Sequence, residues 1–230
     1  MRKLIYTPFG EKFNWNRWDG YDFEYDEKGR LTKYTHVLSS NYYSLTYSGN
    51  NVILRDSDPD YDTSGYKLTF QLNKQGYAIS AISGHAGSES GTTKFTYSPE
   101  GYLISAEGKV YKETFIWKNG NLIESKRYDL EDKDVLIFTY TYDSNKPNPY
   151  GIMIANFQGY YKGNEVFYAG IFGKATKNLL SSYTKTYTAA PGSSDNDYTM
   201  HSDKGCSYTL ELPKEEDDTS NYTFPLYYIE

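Results

Sequence analysis

The sequence predicts an all-β domain: an antiparallel meander of repeated hairpins, forming a closed or nearly closed β-barrel with at most one short helix. Three observations carry that prediction. A hairpin unit recurs along the chain, first as Tyr25-Asp26-Glu27-Lys28-Gly29-Arg30-Leu31. The segments flanking its turns alternate apolar and polar, the period that sends successive side chains to opposite faces of a strand. Finally, 27 Tyr, many beside Thr, Ser, Phe or Ile, suit a pleated half-buried surface, where a ring packs while its hydroxyl reaches water.

In chain order, Phe13, Trp15, Trp18, Tyr21, Phe23 and Tyr25 give two short strands turning at Asp19-Gly20. Trp15, Trp18 and Tyr21 are candidate ligand-binding residues, because two nearby indoles that face outward form a sugar-stacking platform; facing inward, they are core. Gly29 supplies the positive φ of the next turn, and Leu31 opens the return strand. The device recurs at Gly49, Gly76, Gly101 and Gly120, with neighbouring glycines 19 to 27 residues apart, the length of two strands and two connections. Asn119-Gly120 is a type I′ hairpin pair.

The pattern breaks at Lys146-Pro147-Asn148-Pro149. Within one domain spanning residues 1–230, residues 1–145 read as hairpin repeats, 146–180 as an irregular or helical covering segment, and 181–230 as closing strands. Asn164 is placed to cap a short helix from Glu165 to Phe172, with Gly173 just past its end. This segment, with Tyr, Phe and Leu, is expected to fill the lumen, since the apolar face of a curved sheet must pack on something.

A net charge of −6, a pI near 5.2 and the lack of a basic cluster argue against nucleic acid as a partner. Cys206 is the sole cysteine, so no internal disulfide forms and it reads as a structural thiol. No run reaches the ~18 apolar residues of a spanning helix. Near the start only Leu4-Ile5 is apolar, too short for the core of a signal peptide. In Lys67 to Leu72, Leu68, Phe70 and Leu72 alternate with Lys67, Thr69 and Gln71, so one face is wet and a soluble barrel is expected.

The densest acidic cluster is Asp56, Asp58, Asp60 and Asp62, alternate carboxylates whose oxygens suit a hard cation such as calcium. The match to a helix-loop-helix calcium loop is poor: Tyr61 stands where its glycine belongs and Lys67 where its bidentate glutamate belongs. A solvated acidic turn is the alternative. His36, His85 and His201 are dispersed, and Gly87 to Gly91 carries Glu89 where a nucleophile elbow needs serine. Gly170 and Gly173, near Lys174 and Lys177, lack a phosphate-loop spacing and read as packing glycines.

Several stretches together resemble a family of secreted proteins and lipoproteins of gut and oral bacteria, a domain of unknown function with a porin-like β-barrel fold. They are Phe23 to Leu31, Tyr47 to Asn50, Phe95 to Leu103, Trp117 to Leu122, Ala169 to Leu179 and Tyr198 to Gly205. Single hairpins of this kind are also similar to the YD repeat of large toxin-encapsulating shells. The resemblance implies one antiparallel barrel or near-barrel, a removed leader and a secreted or cell-envelope location. It implies no activity and no site residues, and the sequence as given shows neither the leader nor a lipid-attachment cysteine within one.

The resulting expectation is a non-enzymatic exported or cell-surface binding module, without cofactor unless calcium binds, whose partner is a glycan or a cell-surface protein. A structural envelope protein without a small-molecule ligand and a carbohydrate-active enzyme are the alternatives. The enzyme requires two carboxylates held at a suitable separation beside an aromatic cleft.

Overall fold

A computed structural model describes residues 2–7, 20–36, 40–58, 67–85, 88–148, 166, 169–193, 195–202 and 207–211. The first strands are β1 (Arg2–Thr7), β2 (Gly20–Tyr25), β3 (Leu31–His36), β4 (Tyr42–Ser48) and β5 (Asn51–Asp56). The middle of the sheet comprises β6 (Lys67–Leu72), β7 (Ala78–His85), β8 (Ser88–Tyr97), β9 (Leu103–Glu107) and β10 (Tyr111–Lys118). Then come β11 (Asn121–Asp129), β12 (Val135–Pro147), β13 (Asn178–Thr188), β14 (Tyr198–Ser202) and β15 (Ser207–Glu211). From β1 to β14 each strand pairs antiparallel with the next in sequence, and β15 pairs with β1.

Among the described residues the sheet is not closed, and its edges are β14 and β15. Only residues 203–206 separate these strands, so the chain holds Ser202 and Ser207 within about 18 Å of each other. The fifteen strands therefore curl into a nearly closed barrel. Its inner face carries Val52 and Leu54, Leu68 and Phe70, Phe95, Leu103, Phe115, Leu122 and Phe138, all buried in one cluster. The alternate outer positions, among them Arg55, Lys67, Gln71, Lys94, Lys112 and Lys118, are exposed. This inside-apolar arrangement is the reverse of a transmembrane barrel's lipid-facing band, and among the described residues no helix is long and apolar enough to cross a membrane.

The repeat has a common turn chemistry. In three hairpins a polar residue opens the turn: the Gly29 N–H donates to Asp26 O at 2.9 Å, Gly76 to Asn73 O at 3.0 Å and Gly101 to Ser98 O at 2.9 Å. Each of these glycines has positive φ, and the strand register shifts by a bulge just beyond the turn. Asn119 (φ 52°) and Gly120 (φ 82°) are both left-handed, as a type I′ turn requires.

Aromatic side chains complete the hairpins. Tyr47 donates to Leu31 O at 2.9 Å, Tyr97 to Ala78 O at 2.7 Å, Trp117 to Leu103 O at 2.6 Å and Tyr142 to Leu122 O at 2.7 Å. In the first three the acceptor is the first residue of the preceding strand, and Leu122 is the second residue of β11. Burial raises the Tyr47 hydroxyl to about 12 and raises that of Tyr97 as well; both remain donors at neutral pH.

Between β12 and β13 the described chain does not form the expected helix through Phe172. Val166 and Ala169 have 3-10 geometry, Gly170 takes φ +71°, and Ile171 and Phe172 lie in a turn ended by Gly173 at φ +84°. Two left-handed residues three apart leave no room for helical propagation. The segment instead straps the hairpin ends: Ala78 N–H donates to Ile171 O, Lys174 N–H to Gly101 O and Lys177 N–H to Gly120 O. Phe172 inserts edge-on against Phe70 (5.6 Å) and Phe95 (5.3 Å), so this stretch fills part of the lumen.

Candidate binding face

Of the sequence-predicted candidates, the structure describes only Tyr21, Asp56 and Asp58. Trp15 and Trp18 lie outside the described residues; Tyr21 sits on β2, in register with Leu4 and His36. Asp56 ends β5 on the inner face and accepts the backbone N–H of Asp58 at 3.0 Å. Asp58 accepts Asn41 Nδ2 at 3.2 Å. Asp56 thus spends an oxygen on the local turn and Asp58 one on a side chain 17 residues away, while Asp60 and Asp62 lie outside the described residues. Among the described residues no three His, Cys, Asp or Glu gather as metal ligands. His36 and His85 lie on strands, Cys206 lies outside, and exposed His201 shares a 2.9 Å hydrogen bond with Thr184.

A different group emerges from the register. One inner-face row crosses the sheet as Phe95, Ala106, Glu113, Arg127, Leu136, Tyr187 and Tyr198. Beside it runs Phe115, Ser125, Phe138, Lys185 and Met200. Burial falls along both rows. Glu113 is 3% exposed, Arg127, Leu136, Lys185 and Tyr187 are half-buried, and Tyr198 and Met200 reach 40% and 50%. Where β5 to β9 bury their inward side chains, Phe70 and Phe95 among them, in a closed core, the two rows leave Arg127, Lys185 and Tyr187 half-buried and Tyr198 exposed.

The geometry of this face is ordered. Tyr187 and Tyr198 stack at 5.2 Å between centroids and 22° between planes. Lys185 Nζ lies 5.4 Å from the Tyr198 ring and 6.0 Å from Phe138, and the Arg127 guanidinium lies 3.7 Å from the Tyr111 ring. The Tyr187 hydroxyl donates to Asp134 at 2.6 Å, which lowers the Asp134 carboxyl from its ordinary value. Deeper in, Ser125 and Tyr140 share a buried hydrogen bond of 2.8 Å.

Glu113 is the unusual member. One carboxyl oxygen, Oε2, is buried without a hydrogen-bond partner. Burial pushes its pKa up to about 8, against a smaller downward pull from Arg127, so the group is largely uncharged at neutral pH. Sequence reasoning missed these residues although a signal was present. Glu113 alternates in phase with Phe115 and Trp117, and Lys185 with Tyr183 and Tyr187, so each stands on an inward position.

The arrangement offers aromatic surface for stacking with a few polar groups at its base, the usual composition of a ligand site. Comparison with solved structures finds a porin-like protein from Bacteroides uniformis with a TM-score of 0.59 at 18% identity, covering 91% of this chain and 96% of that one. A porin-like protein from Bacteroides vulgatus has a TM-score of 0.53 at 14% identity, with 93% and 87% covered. At these identities the likeness is one of fold. No curated protein matches the chain. The family model for DUF4595, a domain of unknown function with porin-like fold, matches residues 23–220. This match spans nearly all the strands from which the barrel is built, and the chain therefore belongs to the DUF4595 family.

Proposed function

We propose that the protein is a non-catalytic binding module of the bacterial cell envelope that holds a glycan on the inner face of β11 to β14. The carrying observation is the gradient of exposure from Phe95 to Tyr198 along a single row, which leaves the Tyr187 and Tyr198 rings accessible on a face that is elsewhere buried. A sugar presents an apolar C–H face to such rings and hydroxyls to polar groups beside them. The porin-like relatives from Bacteroides support the envelope setting. The non-catalytic reading is supported by the acids of this face: Glu113 is buried, and Asp134 and Asp195 both meet the Tyr187 hydroxyl.

Thermal unfolding against a panel of neutral and acidic oligosaccharides tests this. A ligand at 100 times its Kd adds about 2.7 kcal/mol to the folded state, and Tyr198→Ala should abolish that gain with an unchanged circular dichroism spectrum. A panel without any shift would favour a structural envelope role. A shift that survives Tyr198→Ala would place the sugar elsewhere, with the region of Trp15, Trp18 and Tyr21 next to be mutated.

A further inference from the structure

Resting on that reading, we infer that the glycan is acidic: a saccharide carrying a carboxylate, with Lys185 as the group that binds its charge. Lys185 is half-buried on the inner face, in register with Phe138 on one side and Met200 on the other. Its ammonium lies over the Phe138 and Tyr198 rings, and it makes no ion pair among the described residues. A partly desolvated ammonium costs free energy unless an anion or a ring face compensates it. The rings supply part of that compensation, and a ligand carboxylate would supply the rest.

The acids near this face are committed elsewhere. Asp134 accepts the Tyr187 hydroxyl and the Ala190 N–H, Asp195 meets the same hydroxyl at 3.3 Å, and Asp197 accepts the Ala189 N–H. These oxygens cluster at the end of β13 two or more residues beyond Lys185, about 7 Å along the strand for each two residues. Arg127, on the neighbouring row, adds a second cation, and Glu113 opposite it contributes little negative charge at neutral pH. In a chain of net charge −6, two inward cations set among aromatic rings select for an anion with an apolar face. A uronic-acid residue has both features: its ring C–H face suits Tyr198 and its carboxylate suits Lys185.

The test is calorimetric titration of the intact protein with an oligogalacturonide and with its methyl ester, which keeps the sugar face and removes the charge. A hyaluronan oligosaccharide and its methyl ester form a second pair. At least one acid should bind ten-fold or more tightly than its ester, and the advantage should shrink as salt is raised. Lys185→Met should erase the advantage while leaving ester affinity unchanged, and Lys185→Arg should retain it. Esters binding as tightly as acids, or an acid advantage untouched in Lys185→Met, would overturn the charge assignment while leaving glycan binding intact. Silence from acids, esters and the neutral panel alike would instead overturn the glycan reading itself.

Discussion

The α-carbon of Gly173 lies so close to the carbonyl oxygen of Gly101 that a Cβ added there would stand 2.5 Å from it. Gly29 has a similar positive φ but nothing within 4 Å of the same position. The two glycines separate backbone strain from collision. Gly29→Ala should cost about 1 kcal/mol, the price of φ alone, and Gly173→Ala roughly 2–4 kcal/mol because backbone must also move. Urea unfolding of both variants checks this, and equal losses would mean that the strap does not press on the hairpin.

Phe172 is the strap's anchor in the core. It is 1% exposed and meets Phe70 and Phe95 edge-on. Phe172→Ala should destabilise by about 3–5 kcal/mol, and amide exchange should accelerate at Ala78 and Lys174, whose N–H groups tie the strap to the hairpins. A loss below ~1 kcal/mol would show that the strap is an ornament on a self-sufficient sheet.

Tyr97→Phe removes only a hydroxyl, yet that hydroxyl serves Ala78 O at 2.7 Å in a half-buried setting. The expected cost is about 1–2 kcal/mol, since the carbonyl loses a partner that solvent replaces only in part. Tyr47→Phe should behave alike through Leu31 O. Guanidinium midpoints measure both, and neutral substitutions would assign these aromatics to packing alone.

Glu113 makes stability fall as pH rises. Its folded pKa of about 8 exceeds the ordinary 4.5, so between those values the unfolded chain gives up a proton that the folded chain keeps. Each pH unit in that window costs up to 1.4 kcal/mol, about 3 kcal/mol by pH 7. Glu113→Gln should flatten this dependence and be more stable than the parent at pH 8. Urea midpoints at pH 5, 6.5 and 8 measure it, and parallel pH profiles for the two proteins would refute it.

Much of the fold was legible because turns write themselves locally. Asn119-Gly120 needs two left-handed residues, and the glycines at 29, 76 and 101 need one each; neither requirement depends on distant contacts. The aromatic excess was legible as strand but not as carbonyl capping, because Trp117 finds Leu103 O only after the bulged register is known. The helix expected through Phe172 failed for a nonlocal reason: hydrogen bonds to three hairpins hold Ile171 to Lys177 in place of intrahelical ones. Lys185 and Glu113 were visible as polar residues on an apolar phase, but only the cross-strand pairing places them on adjacent rows. The acidic cluster was legible only as a count of carboxylates; that Asp56 accepts the Asp58 N–H and Asp58 the Asn41 side-chain amide depends on how the turn folds against β4.

The strand order also dictates a sequence of events in time. Most neighbouring strands are joined by short connections and can zip together as the chain emerges, but β1 must wait for β15, with Lys3 facing Glu211 across the join. Closing a loop of that length is entropically the most expensive contact in the sheet, and slow formation of long-range pairs is the rule for such topologies. During synthesis β1 therefore offers a bare hydrogen-bonding edge until the final strands arrive, and that interval is when the molecule is most open to mispairing with another copy or to a chaperone's grip.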